Sequence, residues 1–244
     1  MRLAVFAHSI LPVCCLGFIC GIAAAADTAA PQGLKGEQTL PERHAYVVQD
    51  LLKLCQPKPG FWVDLGAGEG QVAIPLIEAT GNPVVMLEPK AETMLAGLQL
   101  AREKKLENRL VAIVGVAESL PFPDGTVDLV VSRGSIFFWN DPVLGLREVQ
   151  RVLRPGGKAF IGGGAGSGYP KWAVDDLIRD RKEKLQGEEA QKWQRFVELR
   201  RPEQMKEWAT KAGLQGFQVL GQGAISADDP QVGQGVWLLY EKGP

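Results

Sequence analysis

Apolar positions along the chain alternate between two rhythms. From Pro41 the residues Tyr46, Val47, Leu51, Leu54 and Cys55 recur at helical spacing, and Pro57, Pro59 and Gly60 end that segment. Phe61 to Leu65 is then a short, mostly apolar run closed by a glycine-bearing loop. The alternation continues with a helix over Val72–Ala79, a strand over Val84–Leu87, a helix over Ala91–Lys104 and a strand over Leu110–Val114. A fourth strand is expected over Val127–Val131, a helix over Pro142–Leu153 and a fifth strand over Lys158–Ile161. Val-, Ile- and Leu-rich runs separated by helices predict a parallel sheet covered on both faces.

After residue 161 the rhythm changes. Trp172 to Leu199 is densely charged and amphipathic, Glu203–Ala212 is helical again, and Phe217–Leu220 and Gly235–Tyr240 are the last strands. The predicted class is α/β, a doubly wound Rossmann-like sheet, mostly parallel with an antiparallel last strand, helices on both faces. No internal repeat divides the chain, so residues 41–244 are read as one domain after a flexible lead-in over 27–40.

The first 26 residues are of another kind. Arg2 is followed by an uncharged run from Ile10 to Ala26 that ends in Ala24-Ala25-Ala26, the small-residue end a signal peptidase accepts. The expectation is a signal peptide over 1–26, export to the periplasm and no stable membrane association after cleavage. The alternatives are an uncleaved anchor, which Pro12 and His8 weaken, and a true start further downstream, which would leave the protein cytoplasmic. Cleavage would leave Cys55 alone of four cysteines, with no internal disulfide, no Cys/His metal cluster and the role of a buried structural thiol.

Composition adds exclusions. Lysine and arginine number 27 against 28 acids, a net charge of −1, so nothing asks for a nucleic-acid partner. With 45% hydrophobic and 23% charged residues the chain is of ordinary globular composition. Oligomeric state is not legible.

Four motifs carry the chemistry. Val63-Asp64-Leu65-Gly66-Ala67-Gly68-Glu69-Gly70 ends a strand in an acid, turns through alternate glycines and opens a helix. Such a loop lets backbone amides approach a ligand that a Cβ would hold off. Its G-x-G-x-G spacing departs from the G-x-G-x-x-G of dinucleotide-binding folds, which disfavours NAD or FAD. Glu88 follows the second strand, where ligands of open α/β sheets bind, and a carboxylate there can accept two ribose hydroxyls. The third motif runs Val114-Gly115-Val116-Ala117-Glu118-Ser119-Leu120-Pro121-Phe122 and on through Asp124-Gly125 to Ser132. The fourth is Leu146-Arg147-Glu148-Val149 leading to Arg151-Val152-Leu153-Arg154-Pro155-Gly156-Gly157.

From Phe61 to Ile161 these motifs, in this order, resemble the class I S-adenosylmethionine (SAM)-dependent methyltransferases, nearest to the ubiquinone/menaquinone-biosynthesis type of small-molecule methyltransferase. The resemblance implies that Asp64, Gly66, Ala67 and Gly68 hold the methionine portion of SAM and Glu88 its ribose. It implies that Pro89 packs on the adenine, that Ala117 and Glu118 line its edge, and that Ser132 closes the methionine pocket. Relatives usually carry Asp where this chain has Val116, so one acceptor for the adenine amino group is missing. Insertions before the last helix often form substrate lids in this superfamily, which makes 172–200 a two-helix lid over the cleft.

The implied activity is methyl transfer to a small-molecule acceptor, with no metal and no catalytic residue identified. A non-catalytic SAM- or nucleoside-binding protein of the same fold stays open on the strength of Val116. Ser132-Arg133-Gly134-Ser135 stands where amino-methyltransferases of macromolecules carry Asn-Pro-Pro-aromatic, which argues against adenine or glutamine methylation. Phe137, Phe138 and Trp139 either wall a substrate pocket or belong to the core, and Arg133 pairs either with an anionic substrate or with Asp141 or Glu148. His44 is expected to be solvent-exposed on the leading helix, and Tyr46 to reach the cofactor as part of a lid.

Overall fold

The computed structural model describes residues 42–184, 187–223 and 229–244; the segments read as a signal peptide (1–26) and a lead-in (27–40) lie outside them. The elements are α1 (His44–Cys55), β1 (Trp62–Leu65), α2 (Ala73–Thr80), β2 (Val84–Glu88), α3 (Ala91–Glu103), β3 (Leu110–Val114) and β4 (Val127–Arg133). They continue with α4 (Pro142–Val152), β5 (Leu153–Gly164), α5 (Lys171–Lys184), α6 (Gly187–Leu199), α7 (Pro202–Ala212), β6 (Gln218–Gly223) and β7 (Gly235–Glu241). Among the described residues, none of these helices is long and apolar enough to cross a membrane.

The strands form one sheet in the order β3-β2-β1-β4-β5-β7-β6. β1 to β5 pair in parallel, and β7 runs antiparallel to both β5 and β6. The chain therefore winds outward from β1 through β2 to β3, then returns to the other side of β1 to begin β4. That reversal is the switch point at which open α/β sheets leave a crevice beyond their strand ends.

Period-two side-chain alternation sorts the strand residues onto two faces, and both are buried along the central strands, while Val111 and Val114 of the edge strand β3 are exposed. On one face Val63, Val130, Ile161 and Leu238 pack beneath α4 and α7, against Leu146, Val149, Met205 and Ala209. On the other, Trp62, Met86, Val131 and Phe160 lie against Leu51, Ile74, Leu76 and Met94 of α1, α2 and α3. Each wholly buried Leu, Ile or Val removes apolar surface worth about 1.5–3 kcal/mol. Phe160 and Trp237 stack at 4.3 Å with planes 7° apart, joining β5 to its antiparallel neighbour. Cys55 is buried in the second core, and burial pushes its thiol up to about 12.

Helix ends follow local chemistry. Asp141 caps α4 by accepting from Leu144 N at 2.9 Å, with Pro142 at the first helical position. α2 and α7 stop at Gly81 and Gly213, both left-handed. Strand β5 extends past the expected Ile161 through Gly162, Gly163 and Gly164. Three glycines read as a loop in sequence, yet a Cβ at Gly162 would stand 2.1 Å from Val236 O. The missing side chains are what let β7 close onto β5 there.

Candidate functional site

The first glycine loop leaves β1 at the switch point. Gly66 N and Ala67 N both donate to Leu87 O, at 2.7 and 3.2 Å, so the loop is pinned to the end of β2. Gly66, Gly68 and Gly70 all take positive φ, which side-chain-bearing residues rarely adopt. Glu88 reaches back across this turn, its Oε2 accepting from Gly68 N at 3.1 Å. Its Oε1 has no hydrogen bond among the described residues. Helix α3 rests directly on the loop, since a Cβ at Gly97 would lie 2.6 Å from Glu69 O.

Beyond the strand ends lies a cavity of about 860 Å³. On the β2 and β3 side its wall includes Gly66, Glu88, Pro89, Val116, Ala117 and Glu118. The loop after β3 that supplies Val116 to Glu118 is held from α4. Glu148 Oε2 accepts from Leu120 N at 2.8 Å, and the Arg151 guanidinium donates to both Glu148 oxygens, to Leu120 O, to Phe122 O and to Asp124 Oδ1. The third and fourth motifs are thus one hydrogen-bonded unit that sets the cavity wall. Arg151 holds the Glu148 carboxyl below the usual carboxylate range.

At the cavity floor Ser135 ties the loop after β4 to β1. Its hydroxyl donates to Leu65 O at 2.9 Å, because a carbonyl can only accept. It therefore accepts from Trp139 Nε1 at 3.0 Å and from Ser132 Oγ at 2.5 Å. This fixes Trp139, whose ring in turn lies where a Cβ at Gly145 would stand, 2.5 Å from Cε3.

The sequence-predicted site residues separate into two sets. Gly66, Glu88, Pro89, Ala117 and Glu118 line the cavity. Asp64, Ala67, Gly68 and Ser132 do not: Asp64 is buried and accepts from Ala73 N at 2.9 Å at the start of α2, while Ser132 is buried under Ser135. Burial, with a smaller contribution from Glu88, pushes the Asp64 carboxyl up to about 7. Phe137 and Phe138, alike in sequence, part company: Phe137 is core, whereas Phe138 is 75% exposed and walls the cavity. Tyr46 packs edge-on against Tyr169 at 5.6 Å rather than lining the cavity.

His44 is not exposed. It is buried, bonded through Nδ1 to Glu42, and its buried Nε2 has no hydrogen-bond partner among the described residues. Burial foremost, then the charge of Arg133, pushes it down to about 4, so it is neutral at physiological pH. Arg133 donates from Nε to Gly164 O at 3.1 Å, and its two sequence-suggested partners are engaged elsewhere, Asp141 in capping α4 and Glu148 with Arg151. Sequence reasoning missed Arg43 and Arg200 as cavity residues. No local signal marks them, because their roles arise from contacts between distant segments. Among the described residues no cluster suited to a metal ion occurs.

The family described as "Methyltransferase domain" matches residues 63–161. The chain is 32% identical over 157 residues to 2-methyl-6-phytyl-1,4-hydroquinone methyltransferase 1 of Oryza sativa subsp. japonica, covering 64% of this chain and 42% of that one. A Spinacia oleracea protein of the same name matches at 33% over the same length, covering 40% of it. The chain thus spans about two fifths of these curated relatives. Among solved structures, a putative S-adenosyl-L-methionine-dependent methyltransferase of Methanococcus maripaludis superposes with TM-score 0.68 at 22% identity, covering 83% of this chain and 86% of that one. A geranyl diphosphate methyltransferase solved with SAM gives TM-score 0.54 at 18% identity, with coverage of 81% and 85%. These structures share the fold.

Proposed function

We propose that the chain is a class I SAM-dependent methyltransferase that transfers a methyl group from SAM to a small-molecule acceptor, on the premise that residues 63–161 match a methyltransferase-domain family. The observation that carries the reading is Glu88, fixed by Gly68 N through one carboxylate oxygen at the edge of a cavity that opens on the switch point. The residues present fit the donor. A volume of about 860 Å³ is within the range of small-ligand sites, roughly 300–1,000 Å³. The Gly66–Gly70 turn would cradle the methionine end, with Asp64 and Ala67 supporting it from below. Glu88 would take the ribose hydroxyls, and Pro89, Val116, Ala117 and Glu118 would surround the adenine.

Bound SAM supplies a methyl group made electrophilic by a positively charged sulfur. The chain's part is to align and dehydrate. Ser135 holds Trp139 against the cavity floor, and Phe138, Trp193 and Phe196 wall the space with aromatic surface that excludes water. Leu177 of α5 and Trp193 and Phe196 of α6 line the cavity, which supports a lid role for residues 172–200. A cavity of this size at the strand ends favours a small acceptor over a macromolecule.

The test is calorimetric titration with SAM, S-adenosylhomocysteine (SAH) and NAD, followed by transfer of labelled methyl groups to a fractionated extract. SAM and SAH should bind in the micromolar range and NAD should not; the reverse order sinks the proposal. A second reading, a non-catalytic SAM or nucleoside binder, draws on Val116 at the cavity wall and is the outcome if SAM binds but no fraction accepts label. We further infer export, with the 1–26 segment removed after Ala26, from the uncharged run and its small-residue end. N-terminal sequencing of the protein from a periplasmic fraction should begin at Asp27.

A further inference from the structure

The charges around the cavity are partitioned. Glu88 at the end of β2 and Glu118 after β3 are the carboxylates that line it among the described residues, joined on that side by Lys90. On the far side the ionisable residues lining it, among the described residues, are Arg43, Arg133 and Arg200. Sheet order places β1 and β4 between β2 and β5, so the two sides stand roughly 14 Å apart at about 4.8 Å per strand.

The guanidiniums of Arg133 and Arg200 both reach the end of β5. Arg133 donates to Gly164 O, and a Cβ at Gly163 would stand 3.0 Å from Arg200 Nη2, so the glycine is what admits Arg200 to the strand end. Arg200 lies over the Phe137 and Phe196 rings, at 5.3 and 5.0 Å from their centroids. Arg43 precedes α1, which packs on β5. These anchors fix positive charge in place at a partly dehydrated wall, where a point charge acts more strongly than in water. The field registers on His44, whose charged form is disfavoured first by burial and then by Arg133 and Arg43. Beside the guanidiniums lies flat aromatic surface: Phe138 stacks on Phe196 at 5.4 Å and 28°, and Trp193 lies 5.2 Å from Phe196.

We infer that the methyl acceptor is a planar aromatic molecule bearing an anionic group, its ring against Phe138 and Phe196 and its charge toward Arg133 and Arg200. The inference rests on the methyltransferase reading for the word acceptor, whereas the anion site itself rests on the geometry alone. Guanidinium forks match carboxylate geometry and stack on rings, so both halves of such a ligand are met by the same residues. The site also places the acceptor's charge on the side of the cavity away from Glu88 and Glu118, which would repel it.

The test is direct binding to the full protein saturated with SAH, using two matched pairs: 4-hydroxyphenylacetate with 4-hydroxyphenylacetamide, and 2-naphthoate with 2-naphthamide. Each acid should bind about tenfold tighter than its amide, as expected for charge-assisted hydrogen bonds. The preference should shrink as ionic strength rises from about 20 to about 300 mM. It should fall below about threefold in Arg133→Gln/Arg200→Gln that still binds SAH; Arg200→Gln alone serves if the double variant does not. Equal affinity for acid and amide, no binding of either pair, or a preference that survives the substitutions overturns the inference. A parent protein that binds no SAH sinks the methyltransferase reading instead, and the acid–amide comparison on the free protein still decides the anion site.

Discussion

Ser135 occupies the space a side chain at residue 66 would need: a Cβ on Gly66 would lie 2.2 Å from Ser135 Cβ and 2.4 Å from its Oγ. The contact locks the first glycine loop to the segment after β4, and Ser135's hydrogen bond to Leu65 O leaves it no room to withdraw. Gly66→Ala should therefore cost about 2–4 kcal/mol, from overpacking plus left-handed strain. Ser135→Gly added to that variant should recover the steric share only. Denaturant unfolding of the parent, the Gly66→Ala and Ser135→Gly single variants and the double variant reads the cycle, and strictly additive effects would show that the contact carries no energy.

Gly68 poses a different requirement. A Cβ there would meet nothing nearer than Gln71 Oε1 at 3.9 Å, so its demand comes from φ, +56°. Asn tolerates that region far better than a β-branched residue. SAM affinity should fall in the order Gly68, Gly68→Asn, Gly68→Val. Equal losses for Asn and Val would mean that bulk against the ligand, not backbone conformation, sets the requirement.

Glu88→Ala removes both the tie to Gly68 N and the proposed ribose acceptor. SAM binding should weaken by about tenfold or more, with Glu88→Gln intermediate because it keeps one acceptor oxygen. Calorimetry on folded variants checks this, and an unchanged dissociation constant in the Ala variant would reduce Glu88 to a loop brace.

Val116 is 40% exposed on the cavity wall, so a carboxylate there would not be stranded in the core. Val116→Asp should tighten SAM several-fold, in line with about 1 kcal/mol for one regained hydrogen bond. An analogue lacking the adenine amino group should gain nothing. Tightening of both ligands alike would place the adenine elsewhere.

Two buried groups oppose one another in acid. Asp64 titrates at about 7 in the fold against an ordinary 3.8, so its contribution is intact below about 4 and is lost as pH rises to about 7. His44 titrates at about 4 against an ordinary 6.5, so its contribution is intact above about 6.5 and is lost as pH falls to about 4. Asp64→Asn should make stability climb more steeply from pH 4 to 7 than in the parent, by about 2–4 kcal/mol over the interval. His44→Gln should tilt the profile the other way. Unfolding curves that stay parallel across the three proteins would show that neither group is held out of its ordinary range.

By itself the sequence determined what depends on neighbours along the chain. Apolar runs too short and too unbroken for amphipathic helices became strands buried on both faces, and the glycine loop and Glu88 could be placed because each sits where a strand ends. Trp172 to Leu199 announced helices through its charge and spacing. Contacts between segments far apart in the chain were decided only by the tertiary structure. The sequence pattern held nothing to separate Phe137 from Phe138; both meet Phe196 of α6, but only Phe137 also packs against Trp208 of α7 and joins the core. His44 looked like a surface residue because burial is a property of what packs over it. Arg133 and Arg200 lie far apart in sequence and both reach the end of β5, because β4 and β5 pair in parallel and three glycines strip the strand end of side chains. Local periodicity follows from backbone geometry within a few residues; the shape and charge of a cavity at strand ends follow from strand order, which no window of the sequence contains.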